Sequence, residues 1–402
     1  MSTVLAPSDL GAPRLARRSR VELGGRISRA RGTELLVSDA LASVSVSLRA
    51  PALVSEGDLV IVTGRLAGAR LLDAVIRERF PCPSPRGDGE VARLAWQGVG
   101  RHLALRAAAF ETIREYFRTA GFLEVDTPIR VRTPGLDLHV DALEAEGGYL
   151  STSPEFQMKR LLVGGIPRCF QLVHCFRKDE HGPLHEPEFC MLEWYRAFSG
   201  VEAVMADTEI VVERVLTRLA GRPRARLPDG RPIDARAPFA RMTVRDAFRR
   251  HAGVADAVDL AASDEDRFFQ LLVDRVEPAL ARRRRPLFLT DYPATQASLA
   301  RRTPSDPSVA ERFELYVGGV ELCNGFGELT CPIEQRARFV ADQRARRRQR
   351  RPAYALDPRF LAALQEGMPP AGGNALGVDR LVALALGAPA IRDTLAFPWS
   401  WV

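Results

Sequence analysis

Residues 21 to 80 alternate apolar and polar positions in short runs, VELGGRI, ELLVSD, SVSVSL, DLVIVTGRL and LLDAVIRERF, broken by Gly, Pro and Asp. A period of two over four to eight residues marks half-buried strands, so the pattern predicts a small all-β module. The stretch PCPSPRGDGE, residues 81 to 90, disfavours helix and strand alike and reads as an interdomain segment with the boundary near residue 85. Beyond it Leu103, Phe110, Ile113 and Phe117 fall on one helical face, Gly121 closes that helix, and FLEVDTPI is expected to follow as a strand.

Two hairpins come next. In QLVHCFR the alternation puts Gln171, Val173, Cys175 and Arg177 on one face, and in EFCMLEWYR it groups Phe189, Met191, Glu193 and Tyr195. A face mixing aromatics with charges of both signs is unlike a plain solvated sheet surface. In ERFELYVGGVELCNGFGELT, Gly318 and Gly319 read as a two-residue turn. Pairing Val317 with Val320 places Tyr316 opposite Glu321 and, in the same register, Glu314 opposite Cys323. Glu314 and Glu321 then share a face, and two close carboxylates call for a cation: surface arginines, or a divalent metal on a phosphate substrate.

GGNALGVDRLVALALG reads as a glycine-rich turn running into a helix that is apolar nearly all round. Arg380 falls in its first turn, where a cation opposes the helix dipole. Either Asp379 pairs with it or an anion such as phosphate arrives from outside. These glycines match neither a P-loop nor a dinucleotide fingerprint.

Composition is that of an ordinary globular protein, 46% apolar and 27% charged over 402 residues, enough for two domains. No apolar run reaches eighteen residues and the N-terminus lacks a signal-peptide stretch, so a cytoplasmic protein without membrane association is expected. The six cysteines (82, 169, 175, 190, 323 and 331) show no CxxC pair or zinc spacing, and no structural metal is expected. The net charge of +7 favours a polyanionic partner, although arginine excess also follows from GC-rich coding. Lysine occurs only at 159 and 178 and asparagine only at 324 and 374, so the segments that retain them stand out as a candidate site. The arginine-rich RFVADQRARRRQRRP, residues 338 to 352, reads as a helix with either a solvated face or a contact for nucleic acid or an acidic protein.

Taken in order, FLEVDTPI, TSPEFQMKRLL, CFRKDE with HEPEFCMLEWY, GGVELCNGFGEL and ALGVDRL resemble the signature motifs of class II aminoacyl-tRNA synthetases of the lysyl type, over roughly residues 101 to 402. Within that group SPEFQMKRLLV, PEFCMLEWYR, PATQASLA, VAERFELY and NALGVDRLVALALGA are most similar to the elongation factor P β-lysine ligases. The resemblance implies an α+β fold: a class II catalytic domain, an antiparallel sheet flanked by helices, over 101–402. A small OB-like module over 18–82 would precede it, with a flexible tail over 1–17 and a linker over 83–100. The module resembles the OB-fold of related synthetases, yet residues 1 to 79 contain no Phe, Tyr or Trp on which a base could stack.

The resemblance also implies site roles. ATP would be held by Arg177, Asp179, His185, Phe189, Glu314, Glu321, Gly377 and Arg380, with Arg177 and Arg380 catalytic and Glu314 and Glu321 binding Mg²⁺ on the phosphates. Phe189 would stack on adenine against Arg380. Lysine or (R)-β-lysine would be held by Ser153, Glu155, Glu193, Tyr195, Asn324, Glu328 and Ala375, with Glu155, Tyr195 and Glu328 around its side-chain ammonium. Ala375 stands where lysyl-tRNA synthetases usually carry Gly, and one methyl, worth about 1 to 3 kcal/mol, biases the choice between α- and β-lysine. Asp179 replaces the usual Glu, Glu186 the usual Asn, and Cys323 the usual Ala or Gly. Elongation factor P is the implied acceptor, and a homodimer formed through the FLEVDTPI element is expected. Charging of tRNA is the alternative, followed by a non-catalytic paralogue that binds nucleic acid or senses an amino acid.

Overall fold

The computed structural model describes residues 4–11 and 20–402, and the chain divides into two compact units, Met1–Leu105 and Arg106–Val402. Of the tail expected over 1–17, residues 1–3 and 12–17 lie outside the described residues. Leu5, by contrast, is buried in the apolar cluster of the first unit and bridges Leu23, and Pro7–Gly11 forms a short 3-10 helix. An apolar side chain with a place in the core is what holds this stretch down.

The first unit is a closed five-stranded barrel of OB-like form. Its strands β1 (Arg20–Arg31), β2 (Glu34–Ser38), β3 (Ser43–Leu48), β4 (Leu59–Ala67) and β5 (Arg70–Phe80) are ordered β1-β2-β3-β5-β4 around the ring. Alternate residues point inward, among them Leu23, Val37, Val46, Val62 and Leu71, all essentially inaccessible. Closure leaves no strand edge unpaired. The stretch expected as linker carries a π-helical turn at Ala92–Trp96 and the start of helix α1 (Val99–Thr119).

The second unit is built on one large sheet. In chain order its main elements are β6 (Leu123–Glu124), α2 (Glu155–Val163), β7 (Arg168–Phe176), β8 (Glu188–Ala197), α3 (Val201–Ala220), β9 (Ala240–Thr243), β10 (Leu287–Pro293), β11 (Asp306–Val317), β12 (Val320–Gly327), α4 (Pro332–Arg348), β13 (Ala371–Gly377) and α5 (Val378–Leu386). The spatial order is β9-β10-β11-β12-β13-β8-β7-β6, antiparallel except for the two edge pairs β9/β10 and β7/β6. Only Leu123 and Glu124 of FLEVDTPI pair as a strand, with the Val125 amide still bonded to the Phe170 carbonyl. Phe170, Leu192 and Trp194 turn one face of the sheet toward the core formed with α1, α3 and α5. Within it Phe117 stacks on Phe170 with ring centroids 4.8 Å apart.

The opposite face carries the site. Gln171 pairs with Glu193, Val173 with Met191 and Cys175 with Phe189, as the alternation predicts. At the β11/β12 turn Gly318 and Gly319 have φ of +61° and +90°, the conformation a two-residue hairpin turn requires. Val317 pairs with Val320 and Tyr316 with Glu321, but the expected Glu314–Cys323 pair is replaced by Glu314–Asn324. A β-bulge at Leu322 is the cause: the extra residue flips the register, so Asn324 joins Glu314 and Glu321 on the site face while Cys323 pairs with Leu315.

The GGNALG segment is likewise no turn. It is the central strand β13, paired with both β8 and β12. Its glycines answer to crowding: a Cβ at Gly373 would lie 2.3 Å from the Tyr195 ring and 2.5 Å from a Glu328 carboxylate oxygen. Among the described residues no helix is long and apolar enough to cross a membrane.

Candidate active site

A cavity of about 540 Å³ opens over the polar face of the second unit's sheet, within the range of small-ligand clefts. Of the residues named from sequence, Ser153, Glu155, Arg177, His185, Phe189, Glu314, Glu321, Asn324, Ala375, Gly377 and Arg380 line it. Glu193, Tyr195 and Glu328 are buried one layer behind the wall. Asp179 is exposed on the β7–β8 loop with φ +61°, a region that Asp tolerates, and does not reach the wall; Glu180 does.

One end of the cavity is cationic. The Arg177 guanidinium lies 5.1 Å from the centre of the Phe189 ring and 3.6 Å from Glu180, and its buried Nε has no partner. Arg380 donates to the carbonyls of Leu184 and Glu321 and, at 2.8 Å, to His185 Nε2. Because arginine can only donate, that nitrogen accepts, which fixes a neutral His185; burial and the Arg380 charge hold it below its ordinary value. Asp379 is not the partner of Arg380. It binds Arg106 and accepts from the Cys190 amide, and the carboxylate beside Arg380 is instead Glu321, at 3.7 Å.

The other end is acidic. Ser153 Oγ and the Tyr195 hydroxyl donate to the two oxygens of Glu193 at 2.8 and 2.6 Å. Burial and then the nearby Glu155 charge push the Glu193 carboxyl up to about 8. The amine of Lys159, 0% exposed, sits 2.6 Å from Glu155 and 2.5 Å from Glu328. Burial alone would lower the Lys159 value, but the two carboxylates hold it above the ordinary one. The pairing with Glu328 is ionic without hydrogen-bond alignment, and burial and Glu155 push the Glu328 carboxyl up to about 7 despite Lys159. Three carboxyls against one ammonium leave this end short of cations.

Between the ends stand Glu314 and Glu321. Glu314 is buried and hydrogen-bonded; Glu321 opens to the cavity and has Arg380 at 3.7 Å. Burial and then Glu314 push the Glu321 carboxyl up to about 7, against the pull of Arg380, Arg312 and Arg177. Among the described residues no cluster of three or more His, Cys, Asp and Glu is placed to hold a metal unaided. Two carboxylates with phosphate oxygens completing the shell suit Mg²⁺, and here Arg312 at 2.7 Å from Glu314 and Arg380 at 3.7 Å from Glu321 offset only part of their charge.

One residue that builds the site escapes a reading by motif. Arg346, in the run expected as a solvated or docking face, is 0% exposed. It donates to the carbonyls of Asp137, Val140 and Pro352 at 2.6 to 2.9 Å and binds the Asp141 carboxylate. Its guanidinium also lies 4.6 Å from the centre of the Tyr354 ring. The loop it holds, residues 136 to 140, is a wall of the cavity, and Asp141 O accepts from the Lys178 amide beside Arg177. Nothing in a run of arginines distinguishes the one whose side chain turns inward.

The comparisons agree with this geometry. Residues 89–400 match the family described as tRNA synthetases class II (D, K and N), a match that begins after the barrel. The chain is 40% identical over 325 residues to an elongation factor P–(R)-β-lysine ligase of Klebsiella pneumoniae subsp. pneumoniae, covering 74% of this chain and 94% of that protein. It is 40% identical over 316 residues to the ligase so named in Proteus mirabilis and 36% over 326 residues to that of Hamiltonella defensa, with the same coverages. A sheet of this order, a cleft cationic at one end and acidic at the other, and these similarities lead to one conclusion: the chain is a ligase that belongs to the class II tRNA synthetase family, in the branch of the elongation factor P–(R)-β-lysine ligases.

Proposed function

We propose that the protein activates lysine or (R)-β-lysine with ATP and transfers it to a lysine side chain of translation elongation factor P in the cytoplasm. The observation that carries this reading is the segregation of charge along a single cavity: arginines and an aromatic ring at one end, a buried acidic nest at the other. A nucleotide triphosphate suits the first, and an amino acid with two ammonium groups suits the second. An oxygen of the amino acid carboxylate attacks the α-phosphorus in line; the bond to the β-phosphate breaks, pyrophosphate leaves, and an aminoacyl adenylate remains. The acceptor amine then attacks the carbonyl carbon, AMP departs, and the amine loses a proton. No protein nucleophile enters. Mg²⁺ bound with ATP would supply charge neutralisation on the phosphates, with Glu314 and Glu321 as its protein ligands. Arg177 and Arg380 orient the phosphates and meet the charge that develops there.

The test is the intact mass of elongation factor P after incubation with the protein, ATP, Mg²⁺ and either (R)-β-lysine or L-lysine. A gain of one lysyl unit is expected, larger with the β isomer. No gain, with labelled tRNA charged instead, would move the acceptor to RNA; the OB-like barrel favours that second reading and its lack of aromatics up to residue 79 opposes it.

The acidic end also sets a pH dependence. Glu193 and Glu328 hold their protons to higher pH in the folded protein than the ordinary glutamate value of 4.5. The native state therefore binds more protons than the unfolded chain from there to about pH 8, and these sites lose stability as pH rises through that window. A dicationic ligand offsets the loss. The rise in Tm produced by saturating L-lysine should be larger at about pH 8 than at about pH 6, and Glu193→Gln should flatten the difference. An equal rise at both pH values would count against the acidic end as the ammonium site.

A further inference from the structure

We propose that Tyr292 and Tyr316 are positioning residues that lock the Glu314 carboxylate in the orientation from which it meets a nucleotide-bound divalent cation. The inference rests on the reading of Glu314 and Glu321 as the carboxylates facing that cation. Both hydroxyls converge on one oxygen: Tyr292 donates to Glu314 Oε2 at 2.5 Å and Tyr316 to the same atom at 2.8 Å. Arg312 donates to Oε1 at 2.7 Å. A carboxylate offers about four lone-pair directions. Oε2 is therefore saturated and Oε1 keeps a single one, so Glu314 has one place for a cation and no freedom to rotate away from it.

The backbone is bent to make this convergence. Leu289 pairs with Glu314, and strict alternation from there would turn Tyr292 to the other face of β10. A bulge between Thr290 and Tyr292, with Asp291 at φ +56°, brings Tyr292 back to the Glu314 side. The Leu322 bulge does the same for Asn324 on the next strand. A non-glycine residue in the left-handed region beside a site is a local cost, and the alignment of Tyr292 is what it achieves. The chemistry of the donors matters too. Arg312 already offsets one of the two carboxylate charges, and its guanidinium is held 4.5 Å from the Tyr292 ring. A second arginine on Glu314 would add positive charge where the cation is to bind, whereas a tyrosine hydroxyl satisfies a lone pair without adding any. The Tyr316 hydroxyl also lies 3.3 Å from the half-buried Glu277 carboxyl.

The experiment compares Tyr292→Phe, Tyr316→Phe and the double variant with Glu314→Gln and Glu321→Gln. Binding of Mn²⁺ to the protein with ATP is measured by the loss of the free-ion electron paramagnetic resonance signal, alongside Tm and the KM for lysine. The double variant should bind Mn²⁺ roughly tenfold more weakly, with each single variant between it and the parent, while Tm and the lysine KM stay close to parent values. Unchanged Mn²⁺ binding in the tyrosine variants, with weakened binding in Glu314→Gln, would overturn the positioning role and leave the carboxylate pair standing. Unchanged binding in both glutamine variants would overturn the reading of the pair itself. A fall in Tm accompanied by equal losses of metal and lysine binding would show a structural role only and also overturn the inference.

Discussion

Arg177→Ala should slow ATP–pyrophosphate exchange by roughly a hundredfold or more, the cost of removing a donor aimed at developing charge. The side chain is already in position. Phe189 lies beneath it at 5.1 Å, Glu180 restrains it from one side, and its buried Nε has no partner. Donors held in place without a ligand need no reorganisation when phosphate arrives, which is where preorganised electrostatics gains over water. Arg177→Lys should recover part of the loss, because it restores the charge without the planar fork that binds two phosphate oxygens together. The loss should fall mainly on the rate at saturating ATP and lysine. Exchange within a few-fold of the parent would remove Arg177 from the chemistry.

Arg346→Ala is expected to cost roughly 3 kcal/mol or more, the penalty for breaking a buried charged pair whose partners stay behind. Four carbonyls, those of Asp137, Leu138, Val140 and Pro352, and the Asp141 carboxylate lose their common donor at once. Asp141 is partly accessible and keeps Arg351, which moderates the penalty. Exposed Arg347 and Arg348 on the same helix serve as controls, and alanine at either should stay within about 0.5 kcal/mol. Urea denaturation reads the difference. Since the loop held by Arg346 is a cavity wall linked through Asp141 to the Lys178 amide, the KM values for ATP and lysine should rise together in any Arg346→Ala protein that remains folded. A midpoint equal to those of the two controls would show that the inward arginine is not what holds the loop.

What could be read along the chain and what could not divide by the range of the physics. Strand alternation is local, so the faces carrying Gln171, Val173, Cys175 and Phe189, Met191, Glu193 followed from a period of two, and the Gly318-Gly319 turn from the φ values only glycine adopts freely. The bulge at Leu322 was not legible. One extra residue is tolerated or refused according to what lies across the sheet, and its result exchanges Cys323 for Asn324 on the site face. The glycines of β13 misled for the same reason: they resemble a turn, but the demand for Gly373 comes from Tyr195 on the neighbouring strand and from Glu328, and that for Gly372 from Val204 and the Gly200 backbone.

The sequence by itself determined the class of fold, the family, the order of the motifs and most of the side chains on the cavity wall, because each of these is written in residue type and short spacing. The tertiary structure alone decided which charges meet. Asp379 faces Arg106 instead of the adjacent Arg380, Lys159 sits between Glu155 and Glu328, Glu314 lies beneath two tyrosines, and Arg346 turns into the core. Charge pairing within a site depends on distance and burial after the chain has closed on itself, and neither is fixed by separation along the sequence.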